Sequence, residues 1–88
     1  MARIVENPKG FKVIELSRLE IVHNIWGSMG ICDCCNETVP TGYYIAVLNQ
    51  WFCPKCYAEW LEYAKHYPDD EPYETRNFNN YKAIFGLD

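Results

Sequence analysis

Cys32-Asp33-Cys34-Cys35-Asn36 and, with 17 residues between Cys35 and Cys53, Cys53-Pro54-Lys55-Cys56 decide the fold of this chain. Each pair has C-x2-C spacing, which lets a tight turn aim two sulfurs at one point. The residues between the pairs suffice for a hairpin that carries the second pair back to the first. Zn²⁺ suits such a set, because it accepts four soft thiolates in tetrahedral geometry and brings no redox chemistry of its own. Asn36 tolerates the left-handed backbone that a turn of this kind needs. Pro54 suits the first position of a helix, and a helix N-terminus stabilises thiolate charge. The expected ligands are therefore Cys32, Cys35, Cys53 and Cys56 around one structural Zn²⁺. Two pairs of unliganded buried thiols, or disulfides, are the alternatives. Five cysteines are an odd number, which weighs against disulfides. Cys34, between two ligands, reads as a free thiol beside the site. Four cysteines close the tetrahedron, so His23 and His66 are expected as surface or cap residues.

Outward from this cluster, Tyr43–Leu48 reads as a strand rich in β-formers, with Asn49-Gln50 as the hairpin turn back through Trp51-Phe52. Cys53, Cys56, Tyr57, Trp60, Leu61 and Ala64 fall on one helical face, and Pro68 is expected to stop that helix. Upstream, Asn7-Pro8-Lys9-Gly10 is a turn signal, and Phe11–Leu16 reads as a short strand. Ser17 with Glu20 three residues later fits a capping box for a helix over Arg18–Trp26, with Leu19, Val22, Ile25 and Trp26 at helical spacing. Downstream, Asp69, Asp70 and Glu71 read as an exposed acidic connection. Phe78, Tyr81 and Phe85 recur at helical spacing ahead of Gly86, a C-cap residue. Trp51, Phe52, Tyr57 and Trp60 are expected in the core, and Tyr43, Tyr44, Tyr63, Tyr67 and Tyr73 at least partly exposed.

The whole chain of 88 residues makes one domain, with a zinc core over 31–67 and extensions over 1–30 and 68–88. A chain this short buries a small core and commonly needs a staple. No stretch approaches the roughly 20 apolar residues of a membrane span. The opening residues lack the apolar run of a secretory signal, so the cytoplasm is the expected compartment. The net charge is −4 and uneven: residues 1–18 carry four basic and two acidic side chains, residues 59–88 three basic and seven acidic. Neither half has the basic stripe that drives non-specific nucleic-acid binding.

The order of knuckle, hairpin and ligand pair at the head of a helix resembles the treble-clef zinc finger. The spacing equals that of GATA-type fingers, and Trp51-Phe52-Cys53-Pro54-Lys55-Cys56 is similar to the strand-to-helix junction of LIM and GATA modules. The resemblance covers residues 31–67 and implies an α+β, zinc-stapled fold in which Cys32, Cys35, Cys53 and Cys56 are the ligands. GATA fingers present basic residues to DNA, whereas the helix here reads Tyr57-Ala58-Glu59-Trp60-Leu61-Glu62. Small proteins of this build also resemble accessory proteins of phages and mobile elements.

The closed ligand set, and the absence of an H-x-E or H-E-x-x-H arrangement, point away from catalysis at the metal. The expected function is non-enzymatic: binding of another protein, in one concrete form the modulation of a host protein by a phage or mobile-element product. Asp69, Asp70, Glu71 and Tyr73 are the candidate interface, with carboxylates to steer a basic partner and aromatic area to hold it. The alternative is a nucleic-acid-binding transcription accessory factor, using Arg3, Lys9, Lys12 and Arg18.

Overall fold

The computed structural model describes residues 2–87; positions 1 and 88 of the expected extensions lie outside the described residues. Strands β1 (Arg3–Val5), β2 (Val13–Ser17), β3 (Thr41–Ile45) and β4 (Gln50–Phe52) form one antiparallel sheet in the order β1-β2-β3-β4. Three helices, α1 (Arg18–Asn24), α2 (Pro54–Tyr63) and α3 (Glu71–Phe85), complete a small α+β fold, with a 3-10 turn over Pro68–Asp70 ahead of α3.

Both sheet faces are covered, which explains why β2 alternates poorly between apolar and polar residues. On one face Val13, Ile45 and Phe52 pack with Phe11, Cys32, Cys53, Cys56 and Trp60, so α2 and the cysteine turns lie on that side. On the other, Ile14, Leu16, Tyr44 and Trp51 pack with Ile21 of α1 and with Phe78, Tyr81 and Phe85 of α3. The register sets this division: Tyr44 is opposite both Ile14 and Trp51, while Tyr43 is opposite Glu15 and Phe52. Gly42 is the tight point. A Cβ there would lie 2.6 Å from the Phe52 carbonyl oxygen and 2.7 Å from the Trp51 ring, so only glycine lets β3 run beneath that indole.

The capping box is formed: Glu20 N donates to Ser17 Oγ (3.1 Å) and Ser17 N to Glu20 Oε1 (2.9 Å), so β2 passes into α1 with no intervening loop. Glu20 Oε2 also accepts from Ala2 N (2.6 Å). These backbone donors hold the Glu20 carboxyl below its ordinary value, against the opposing effect of burial. Gly86 closes α3 in the left-handed conformation (φ 68°).

Several boundaries differ from the expected ones. Strand β3 stops at Ile45. The turn spans residues 46–49, because Leu48 N bonds to Ile45 O and Asn49 N to Ala46 O. Asn49 takes the positive φ (55°), which leaves Gln50 free to pair in β4. Helix α1 ends at Asn24 because Ile25 turns extended, and Trp26 and Leu19 face solvent while Ile21 is the buried residue. Helix α2 ends at Tyr63, ahead of Pro68. Ala64 is extended and buried, and its carbonyl accepts from Lys9 Nζ (2.8 Å). The acidic stretch is not a plain connection: Asp69 and Asp70 lie in the 3-10 turn, and Glu71 opens α3. Tyr44, expected to be partly exposed, is fully buried beneath Tyr81, with ring centroids 3.5 Å apart and planes 5° apart. The strand β1 was not expected at all.

Candidate metal centre

The first cysteine pair sits on a turn over residues 33–35. Asn36 N donates to Cys32 O (2.8 Å), and Cys32 N to Glu37 O (2.9 Å), which folds the segment back on itself. Asn36 provides the left-handed residue this return requires (φ 65°). The amides of Cys34 and Cys35 point at Cys32 Sγ (3.4 and 3.5 Å). The second pair straddles the start of α2. Cys53 is the N-cap, Pro54 occupies the first turn, and Cys56 N points at Cys53 Sγ (3.5 Å). The cap role usually filled by a hydroxyl or carboxylate thus falls to a sulfur.

The two pairs are joined by the sheet. Asp33 N donates to Trp51 O, and Trp51 N donates to Asp33 Oδ2, both at 2.9 Å. This reciprocal pair fastens the turn to the outer side of β4, one residue away from the first ligand and two from the third. The result is a compact set: the sulfurs of Cys32, Cys35, Cys53 and Cys56 all lie within 4.8 Å of one another. Cys35 Sγ and Cys53 Sγ are 3.8 Å apart. A tetrahedron with Zn–S bonds of about 2.3 Å has edges of roughly 3.8 Å. The donor set therefore fits a metal ion in size and in chemistry, and a four-thiolate site is the one zinc favours.

The protons on these sulfurs show what a cation would relieve. Burial raises the Cys32 thiol, but the backbone amides of Cys35, Cys53 and Cys34 outweigh it and bring it to about 7. Burial, and then the neighbouring sulfurs of Cys35, Cys53, Cys34 and Cys32, push the Cys56 thiol well up. A dication among the four reverses that mutual opposition, since it favours the thiolate at every ligand. Cys34 is exposed and stands outside the four-sulfur set.

The structure brings together the four cysteines that the spacing singles out. It does not bring Asp69, Asp70, Glu71 or Tyr73 to them; the residues around the sulfurs are Cys34, Glu37, Val39, Lys55 and Glu59. The acidic trio is exposed at the start of α3. Tyr73 is exposed too, and the Arg76 guanidinium lies 5.4 Å from its ring centroid. Asp69, Asp70 and Glu71 thus also complement the positive end of α3.

Two groups of polar residues escaped the sequence reading. Asp33 is the clamp just described; nothing in its local sequence separates it from a solvated turn residue. Glu74 is fully buried, accepting from Lys12 N (2.9 Å) and sharing a hydrogen bond with His66 Nε2 (2.8 Å). Here a signal existed: Glu74, Asn77, Phe78, Tyr81 and Phe85 lie on one helical face. Asn77 also has a use there, donating to Ala46 O (3.0 Å) at the β3–β4 turn.

Among the described residues no helix is long and apolar enough to cross a membrane. Neither a family model, nor a curated protein, nor a solved structure matches this chain, so its centre is read from its own geometry.

Proposed function

We propose that this chain is a non-enzymatic zinc protein of treble-clef type that acts by binding another protein. The observation that carries the reading is the set of four sulfurs within 4.8 Å of one another, on a knuckle and at a helix head. Four thiolates complete a tetrahedral site and leave no position for water or substrate, so the metal serves to hold the fold. What the fold then offers is surface. Tyr67 and Tyr73 are exposed on either side of Asp69, Asp70 and Glu71, which supports an interface there for a basic protein partner.

The nucleic-acid reading has less support. Arg3 Nε is bound to Glu15 (2.6 Å), Lys9 Nζ to Ala64 O (2.8 Å) and Arg18 Nε to Gly30 O (3.1 Å). Three of its four basic side chains are thus held by the chain itself.

The test is twofold. Protein purified without added metal is assayed for zinc by mass spectrometry, with one zinc per chain expected. Tagged protein from its native cells is then crosslinked after nuclease treatment, with a protein partner expected at Tyr73 or the acidic trio. A metal-free chain that is fully folded sinks the zinc reading. Micromolar or tighter duplex-DNA binding with a steep salt slope, and no nuclease-resistant partner, sinks the interaction reading.

A further inference from the structure

Trp26 is the most conspicuous side chain outside the metal centre. Its indole is fully exposed, whereas Trp51 and Trp60 are 2% and 8% exposed. Met29, three residues on, is 74% exposed. Water does not favour such side chains, and exposed apolar side chains gathered at one groove mark a contact surface. The two sit on the rim of a groove of about 420 Å³, whose apolar wall is Ile21, Ile25 and Trp51.

The segment that carries them is held. Ser28 N bonds to Ile25 O (3.1 Å), and Gly30 O accepts from Arg18 Nε (3.1 Å). Gly30 is buried in the left-handed region (φ 68°), where a Cβ would meet Val22 Cγ2 at 2.6 Å. The loop is therefore tied to α1 at Ser28 and Gly30, and Trp26 and Met29 stand exposed on it.

The remaining lining mixes Ile31 with polar groups, and Asp33 is its one charged side chain. Asn49 and Tyr81 belong to it too, and no lysine or arginine is among the lining residues. Asp33 uses Oδ2 for the β4 clamp, which leaves the carboxylate charge at the groove. Burial, and then Asp33, push the Tyr81 phenol up to about 12. A carboxylate beside an apolar wall is complementary to an apolar side chain next to a cation. The exposed indole adds a face on which a guanidinium stacks.

We propose that this groove is a second docking site, which takes a segment of a partner protein bearing an aliphatic or aromatic residue within two positions of an arginine or lysine. The proposal rests on the protein-binding reading but uses a surface separate from the acidic start of α3.

The experiment is selection of a random 12-residue peptide library, displayed on yeast, against the zinc-loaded chain. Enriched peptides are then synthesised and titrated by tryptophan fluorescence. Apolar–basic sequences are expected, shifting the emission of Trp26. Trp26→Ser should weaken them at least tenfold. Asp33→Asn, which keeps an oxygen for Trp51 N, should weaken them at least threefold and flatten their salt dependence. Charge reversal of Asp69, Asp70 and Glu71 should leave them unchanged. Enriched peptides that bind Trp26→Ser as well as the parent, or that are acidic, overturn the proposal. So does a wild-type dimer in sedimentation that Trp26→Ser disperses, which makes a second copy the occupant. Binding to phosphatidylserine vesicles through Trp26, without peptide enrichment, assigns the patch to a lipid surface and also overturns it. If peptides bind only at the acidic surface of α3, the interaction reading survives and the groove is discarded. If no peptide is enriched and no native partner is crosslinked, both fall.

Discussion

Glu74→Ala tests whether a single buried carboxylate docks α3 onto the sheet. Glu74 is 0% exposed, and its two oxygens bridge the Lys12 amide just before β2 and His66 after α2. Removing the side chain deprives both of their partner. A buried hydrogen-bonding group left unmet costs about 1–3 kcal/mol, and the loss of Glu74 leaves two such groups. The His66 side chain is 23% exposed, so water recovers part of its loss. A net destabilisation of about 3–4 kcal/mol results, against a total of about 4–13 kcal/mol for a domain of this size. In a domain of 60–100 residues each kcal/mol shifts Tm by about 4–8 °C, so a fall of about 12–30 °C is expected. Glu74→Gln keeps an acceptor for the Lys12 amide and should lose about 1–2 kcal/mol. Thermal melts by far-ultraviolet circular dichroism, at saturating zinc, read all three proteins. The zinc content should be unchanged, since α3 supplies no ligand. A Tm for Glu74→Ala within about 3 °C of wild type refutes the reasoning, because that carboxylate would then be neither buried nor an anchor.

Four further outcomes are expected. Cys53→Ser should lose the metal and cooperative folding, on the order of 10 kcal/mol of apparent zinc contribution, while Cys34→Ser keeps both, by metal analysis and melting. Gly42→Ala should cost about 1–3 kcal/mol by overpacking against the Phe52 carbonyl and Trp51, seen as a lowered denaturant midpoint at unchanged slope. Reversing Asp69, Asp70 and Glu71 to lysine should slow association with a basic partner. It should also remove favourable charge from the α3 N-terminus, about 0.3–1 kcal/mol for each residue in the first turn, measured by stopped flow and melting. Glu15 and Glu20 both have lowered values, Glu15 through its hydrogen bond from Arg3 and Glu20 through the capping donors that outweigh its burial. Their contribution is complete above the unfolded carboxylate value of about 4.3 and is lost as pH falls through the lowered folded values. Glu20→Gln should flatten the low-pH limb of a stability–pH curve, and an unchanged limb counts against this assignment.

Each cysteine pair, the helix that follows the second and the α1 capping box were legible because each depends on residues a few positions apart. Cysteine spacing, a proline at a helix start and Ser17 with Glu20 are local chemistry that the chain cannot express in another way. What was not legible depends on partners far off in sequence. Arg3–Val5 is too short to show alternation and is a strand only because Val13–Glu15 lies beside it. Tyr44 is buried because Tyr81, 37 positions later, stacks on it. Helix α1 ends early because Ile25 turns extended, and periodicity alone carries Trp26 onward as a helical residue. Glu74 is in sequence only one of the seven acids over residues 59–88, and the donor that buries it is the Lys12 amide, 62 positions earlier.

The clamp between Asp33 and Trp51 bears on how the chain would behave if an ion bound by the four cysteines were withdrawn. Strand β4 stands at the end of the sheet, and the outward amide and carbonyl of Trp51 are the hydrogen-bonding groups that another strand would seek. The cysteine turn covers them, and an ion drawing the four sulfurs together would hold it there. Chelation would then free that turn and uncover an edge bearing Trp51 and Phe52, two large apolar side chains of the core. On the zinc reading proposed above, the ion would guard the sheet edge as well as staple the fold, and its loss should lead to concentration-dependent strand-to-strand association.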